Sequence, residues 1–481
     1  MSALPHVFII QGCEMSMYRL RSLRALLNEY NGEEGFNELE NQEIYFAPYD
    51  ELNDPLEGSV DYLWQGDEVV WKNLLRHYLL CLDNVFQIAI LPIPDEEFHR
   101  FKKRQNPFIT EERLPGNWDQ VFNDIKLRFF ASKLTQQLLR YLSKKSTPLR
   151  EDELLLHLQL INSVALESIA FTYRERKFSD TDAILDYLQN ESDWSSFYEN
   201  LREFSDEGKA VDIQVLVTVM SRELERSYLR TWVKEPTDKR FFYLLLDFPR
   251  EYMSSVKELV FPIWSSACFM SDCMDMSVWG HYGDGHRGVC LIFRTQGDDN
   301  HLSLPLQLAD KAQPSQRLFK KINYSTERIQ VDFFRSLMTL PEPTVMHEWY
   351  MTDGKISPCA EALYNLDKGG REDYWAKYSE IQTLKTPEWS VEREYRLVLE
   401  GHYFHDISEI AKRKATYDFA DLEGIVFGIK TPASAKAKII RIIHNKCIKN
   451  KRSAFKFFQA RFDYRKHEMV FDDLMLFRSK E

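Results

Sequence analysis

Apolar positions along the chain change their period twice, and the changes divide it into three stretches. In YRLRSLRALLNEY (18–30), Leu20, Leu23, Leu26 and Leu27 recur at helical spacing. EIYFAP (43–48) reads as a short strand closed by Pro48, and LNDPLEG (52–58) as a turn, since Asn, Asp, Pro and Gly each favour bends. VVWKNLLRHYLLCL (69–82) is apolar on most of its circumference and predicts a helix buried nearly all round. From about 110 to 255 the pattern is almost continuously helical. Val121, Phe122, Ile125, Phe129, Leu134, Leu138 and Leu142 form one amphipathic series, and ELLLHLQLINSVALESIAF resumes it after Pro148. Beyond 255 the strand signal returns in VFPIWSSACFMS (260–271), GVCLIFR (288–294), EREYRLVLEG (392–401) and LEGIVFG (422–428). After Pro432, Ser434 is placed to cap the helix AKAKIIRIIHNKC, and FKFFQARFDYRKHEMVF (455–471) predicts a closing two-stranded ribbon.

Strands split by a helical block argue for an α+β protein whose mixed sheet-containing core is interrupted by a largely helical insertion. The expected division is 1–105 and 256–481 for the two parts of the core and 106–255 for the insertion. That block has neither glycine-rich loops nor clusters of catalytic residue types, so a role in covering a site or meeting a partner protein is expected of it.

Composition narrows the function more than the fold. The formal charge of −12 argues against a broad nucleic-acid coat, because phosphate neutralisation needs clustered Lys and Arg. Residues 436–466 are the local exception, with eleven Lys or Arg against the single acidic Asp463. Phe455, Phe457 and Phe458 would offer stacking faces to a nucleic acid there, and a solvated helix end explains the same charges. The seven cysteines are scattered with no CxxC pair, which points to buried thiols. MSALPHVFIIQG has no basic n-region, and no stretch approaches the roughly 18 apolar residues of a membrane span. A soluble, cytoplasmic protein without a membrane partner is therefore expected.

Four polar segments could carry chemistry. The densest, MSVWGHYGDGHRGVCLIF (276–293), packs Trp279, His281, Tyr282, Asp284 and His286 among glycines just before a buried strand. That suits a substrate-contacting loop and equally a turn that satisfies its own backbone. His281 and His286 lack a third ligand at a diagnostic spacing, so no metal is assigned. In LNDPLEG, Asn53, Asp54 and Glu57 could reach a ligand or only close the turn. In EWSVEREYRLVL (388–399), alternation puts Glu392, Glu394 and Arg396 on one strand face. Two such carboxylates can share a site and raise one pKa for acid–base work, or pair with arginines on a solvated face. Tyr18-Arg19 could supply a fixed guanidinium for a phosphate or carboxylate.

Taken in order, Tyr18-Arg19, YFAPYDELNDPLEG, the Trp279-Gly-His281-Tyr282 segment with its strand, and EWSVEREYRLVL resemble the bacterial family called domain of unknown function 2971. LEGIVFGIKTP resembles that family's later strand-to-helix turn. Two departures stand out: a longer stretch between the second and third motifs, which fits the helical insertion, and Val278 where the family often has methionine. The resemblance implies a role in anti-phage defence. An early Arg, a His-Tyr segment and a late strand Glu are also similar in their parts to ADP-ribosyltransferases. The first expectation is thus an NAD-using enzyme that transfers ADP-ribose or cleaves NAD. Arg19 and the 281–288 segment would hold the dinucleotide, Glu394 would stabilise the ribosyl cation, and Glu392 or His281 would handle protons. Two alternatives stand beside it. One is a metal-dependent nuclease built from Asp54, Glu57, His281, Asp284 and Glu392. The other is a non-enzymatic sensor or scaffold binding a defence partner through 106–255.

Overall fold

The computed structural model describes residues 16–476 apart from 31, 55, 103–105, 115, 190–212, 234–238, 299–300, 310, 312, 365–369, 402–406 and 408. The expectation about the first twelve residues, Cys13, and parts of the helical stretch lie outside the described residues. The chain divides into two compact units. The first is built from residues 1–59, 263–327 and 378–481, the second from 60–262 and 328–377. The architecture is α+β, as the alternating periods predict.

The first unit is organised by a nine-stranded sheet. In chain order its strands are β1 (Ser16–Arg21), β2 (Ala47–Pro48), β3 (Trp264–Met270), β4 (Val289–Arg294), β5 (Lys320–Lys321), β6 (Glu394–Glu400), β7 (Leu422–Phe427), β8 (Lys456–Asp463) and β9 (Glu468–Asp473). They lie in the order β5-β6-β3-β1-β4-β7-β8-β9, with β2 added along β3. All neighbours are antiparallel except β7 and β8, which are parallel and joined by the helix Ala433–Lys449. That is the connection a parallel pair requires.

Both faces of the sheet are buried. Val289, Leu291 and Phe293 of β4 join one core with Ile439 and Ile443 of that helix, while Cys290 and Ile292 join a second core with Trp279. A strand covered on both sides reads as a continuous apolar run, which is why GVCLIFR and LEGIVFG were legible. A smaller four-stranded sheet of Glu43–Tyr45, Ser303–Leu308, Ser315–Leu318 and Lys414–Tyr417 adds Leu304, Leu306 and Tyr417 to the first core.

Several expectations need correcting. The helix read over 18–30 is strand β1 followed by one helical turn, Leu23–Leu26, which Ser22 caps by accepting from the Ala25 amide. Six register pairs with β4 outweigh the helical spacing of four leucines. Ser434 does not cap the helix after Pro432; it lies inside the first turn and makes no cap hydrogen bond. The closing ribbon is present as β8 and β9, but Phe455, Phe457 and Phe458 are buried, so they are not stacking faces for a nucleic acid.

The second unit is mostly helical. Among the described residues its longest helices are Glu68–Ala89, Glu151–Glu175 and Ile213–Val233. Asp67 caps the first by accepting from the Val70 amide. The series expected as one helix over 117–142 breaks at Ser132, whose extended ψ of 136° separates Trp118–Ala131 from Lys133–Lys144. This unit also takes in Asp61–Leu63, which pairs in parallel with Gln330–Asp332. Contrary to the sequence reading, Glu151–Glu175 is long and apolar enough to cross a membrane, and 67% of its apolar window is buried inside the protein.

Candidate functional site

Strands β1 and β3 share a single register pair, Tyr18 with Met270, and then part; Ser265 and Ser266 pair with β2 instead. A cavity of about 310 Å³ is lined by residues on either side of that gap, among them Arg19, Tyr45, Asn53, Cys268, His281 and Tyr282. Glu57, Lys385, Glu392 and Glu394 also line it. The volume lies near the low end of the roughly 300–1,000 Å³ typical of small-molecule sites. Because strands that part uncover their facing edges, consecutive residues of both strands, Arg19 with Leu20 and Cys268 with Phe269, line the gap.

The charged wall is built around Lys385, which stands on a two-residue strand paired in parallel with Asn323–Tyr324. Its ammonium donates to Glu392 Oε2 at 2.7 Å and to Glu394 Oε2 at 3.0 Å, and lies 3.2 Å from Glu57 Oε1. Burial alone would lower the pKa of this ammonium, but Glu394, Tyr282 and Glu392 hold it well above the ordinary lysine range. Arg396, fully buried, donates from Nε to Glu394 Oε1 at 2.7 Å and from Nη1 to the Gln382 carbonyl at 3.0 Å. Its Nη2 reaches Glu57 and Glu394 Oε2. Burial lowers its guanidinium to about 9, which leaves it charged at neutral pH. Burial also raises the Glu394 carboxyl to about 7, with Lys385 pulling it the other way. Three carboxyl groups thus face two cations, and the proton that Glu394 retains up to about pH 7 offsets part of the formal excess negative charge.

Arg19 forms the opposite kind of wall. It is buried, its Nη2 donates to the Tyr45 carbonyl at 2.9 Å, and it lies 5.2 Å from the centre of the Phe269 ring. Its Nη1 is buried with no hydrogen-bond partner. Burial, reinforced by Arg21, lowers its pKa to about 10. A buried guanidinium with an open donor costs stability, and an anionic ligand would relieve that cost.

The other expected residues divide between cavity and scaffold. The 276–293 segment is only half a loop. Met276–Tyr282 is a helix capped by Asp275, and residues 283–288 form the turn that follows. A Cβ on Gly288 would come within 2.4 Å of the Arg21 carbonyl, so this turn can close on β1 only with glycine there. His281 and Tyr282 end the helix at the cavity; the Tyr282 hydroxyl donates to Glu392 Oε1 at 2.6 Å. Burial raises the Tyr282 phenol pKa.

Trp279 does not reach the cavity. It is fully buried in the second core, its indole N–H bonded to the Cys273 carbonyl at 2.7 Å. Asp284 and His286 also lie outside the cavity lining, in left-handed conformations at φ 51° and 69°. Tyr18 is buried in the second core, not in the cavity wall. Asp54 closes its own turn on the Leu56 amide and accepts from the Thr386 hydroxyl at 3.2 Å, which holds Glu57 beside Lys385. Arg396 is a buried strut beneath the wall and does not touch the cavity. Glu392 is not on the strand at all: it ends a 3-10 turn, and Arg393 at φ 46° returns the chain to β6. Its carboxylate still converges with that of Glu394.

The residue missed in the sequence is Lys385. A lone lysine in TLKTPEWS has no local signal. Of the nuclease set, Glu57, His281 and Glu392 line the cavity, and Asp54 and Asp284 do not. Asp284 stands on an exposed turn, and Glu57 and Glu392 hold Lys385. Among the described residues, no group of three or more His, Cys, Asp or Glu is arranged to hold a metal ion.

Fold and site together define an α+β protein with a buried charge cluster opening on a ligand-sized cavity. The family model described as "Protein of unknown function (DUF2971)" matches residues 278–397, the stretch that carries Trp279-Gly-His281-Tyr282 and the Glu392–Arg396 motif. The resemblance read from the motifs therefore holds. No curated protein and no solved structure matches the chain.

Proposed function

We propose that this cavity is the active site of an NAD-using enzyme that transfers ADP-ribose or cleaves NAD, acting as a defence-type effector. One observation carries the reading: Arg19, a buried guanidinium with one unpartnered nitrogen, and the Glu57, Glu392 and Glu394 cluster line the same cavity. The best complement is a ligand that is anionic at one end and cationic, or becoming cationic, at the other. NAD has that form, with a diphosphate for Arg19 and a ribosyl–pyridinium bond for the glutamates. As the C–N bond breaks, its electron pair leaves with neutral nicotinamide and positive charge grows on the ribosyl carbon. A fixed carboxylate stabilises that charge. Water or an acceptor nucleophile then forms the new bond, its proton passing to Glu392 or His281.

Proton NMR of NAD incubated with the full chain tests the reading, alone and with phage-infected lysate, beside Glu392→Gln and Arg19→Met. Nicotinamide release by wild type that both variants lack is the expected result. Intact NAD and unlabelled macromolecules under every condition would end the proposal. The helices of 106–255 are proposed as the surface for a defence partner.

A further inference from the structure

We infer that Lys385 is the positioning residue of this site, and that it presents Glu392, not Glu394, to the ligand. The inference rests on the enzymatic reading above for its kinetic arm only. The three carboxylates around Lys385 are not held alike. Glu394 is fixed from both sides by Arg396, through Nε to Oε1 and Nη2 to Oε2, and Glu57 also bonds Arg396. Those two would keep a cation if Lys385 were lost. Glu392 would not, because among the described residues its one cationic contact is Lys385 at 2.7 Å. Its other oxygen accepts the Tyr282 hydroxyl, so Lys385 and Tyr282 pin one carboxylate from two different elements.

Lys385 is held from several sides. Its strand register with Asn323–Tyr324 fixes the backbone, Trp389 packs 5.0 Å from the ammonium, and Tyr324 accepts the Glu394 amide at 2.9 Å. Glu392 lies outside β6, at the end of its 3-10 turn and beside left-handed Arg393. Its side chain therefore takes its direction from its partners. Glu394 is part of a strut, and Glu392 is an aimed group.

The test uses the full chain with Lys385→Met, Lys385→Arg and the double variant Glu57→Gln/Lys385→Met. The double variant returns the cluster to its original net charge in case the single one does not fold. In the crystal structure of whichever methionine variant folds, Glu392 is expected to leave Tyr282 while Glu394 stays on Arg396. With NAD as the probe, Lys385→Met and Glu392→Gln should each lower kcat about 100-fold or more at nearly unchanged KM, with Lys385→Arg restoring part of the loss. Glu392 remaining on Tyr282 without Lys385 would overturn the inference. So would turnover that survives Glu392→Gln and dies in a folded Glu394→Gln. If wild type leaves NAD intact, the enzymatic reading fails by itself, and the crystal structures still decide the positioning role.

Discussion

Both units bury charged and polar side chains, and the cluster around Asp83 in one is finished differently from the cluster around Lys385 in the other. In the helical unit, Asp83 is completely buried, and its oxygens accept from Tyr173 at 2.7 Å, Trp118 at 3.1 Å and Gln87 at 3.0 Å. Burial raises its carboxyl to about 6, against the pull of those three donors. Every contact there is neutral and local to the unit, and the network closes on itself. In the sheet unit the buried groups are mostly charged. Three carboxyl groups meet two cations around Lys385, and Arg19 keeps one buried nitrogen without a hydrogen-bond partner. A closed network locks a core; an open one at a cavity keeps interaction energy available for something not yet present. The difference teaches where to look for function: buried polarity alone does not mark a site, whereas buried polarity left incomplete beside a cavity does.

The sharpest way to break that contrast is Arg396→Met. It strands Glu57 and Glu394 with Lys385 as their remaining cation, so the cost should be about 3–5 kcal/mol in denaturant unfolding. A loss below about 1 kcal/mol would mean the cluster is far wetter than its burial suggests. Asp83→Ala should cost less, about 1–3 kcal/mol, because the donors it strands are neutral. Arg19→Met should behave in the opposite sense. Little stability should be lost, while affinity for NAD or ADP-ribose falls about 10- to 100-fold, the worth of one charge-assisted hydrogen bond. Calorimetry reads both quantities, and a large loss of stability with unchanged affinity would make Arg19 a structural cation.

The smallest expected effect is a slope. The Glu394 carboxyl rises from 4.5 to about 7 in the folded chain, so between those values the folded state holds a proton that the unfolded state has released. Its contribution to stability is complete below about pH 4.5 and is lost as pH rises through about 7. His77 acts in reverse. Burial lowers it from 6.5 to about 4, so its contribution is complete above about pH 6.5 and is lost as pH falls towards 4. In melting temperatures recorded from pH 4 to 8, Glu394→Gln should remove a downward slope and His77→Phe an upward one. Matching slopes in the two variants would refute the assignment.

Much of this protein was legible before any coordinates. Alternation placed Leu397 and Leu399 on one face of β6 and Glu394 with Arg396 on the other, because the strand period of two needs no tertiary context. Continuous apolar runs marked β4 and β7, and the change of period marked the helical stretch. The motif residues Arg19, Asn53, Glu57, His281, Tyr282, Glu392 and Glu394 do meet at one cavity. Residues chosen for the same reasons failed where a local job absorbed them: Trp279 in a core, Asp54 in a turn, Asp284 on an exposed bend.

Only the tertiary structure decided the rest. The end of strand β1 looked helical because Leu20 falls in step with Leu23, Leu26 and Leu27, which belong to the helical turn after it and its cap, and the six partners of β1 on β4 lie about 270 residues away. Lys385 carried no local signal, since what makes it a site residue is three carboxylates brought together by separate elements. Nor could alternation tell Glu392 from Glu394 as aimed group and strut. That distinction depends on which cation each one keeps, and cations arrive from strands that local periodicity cannot pair.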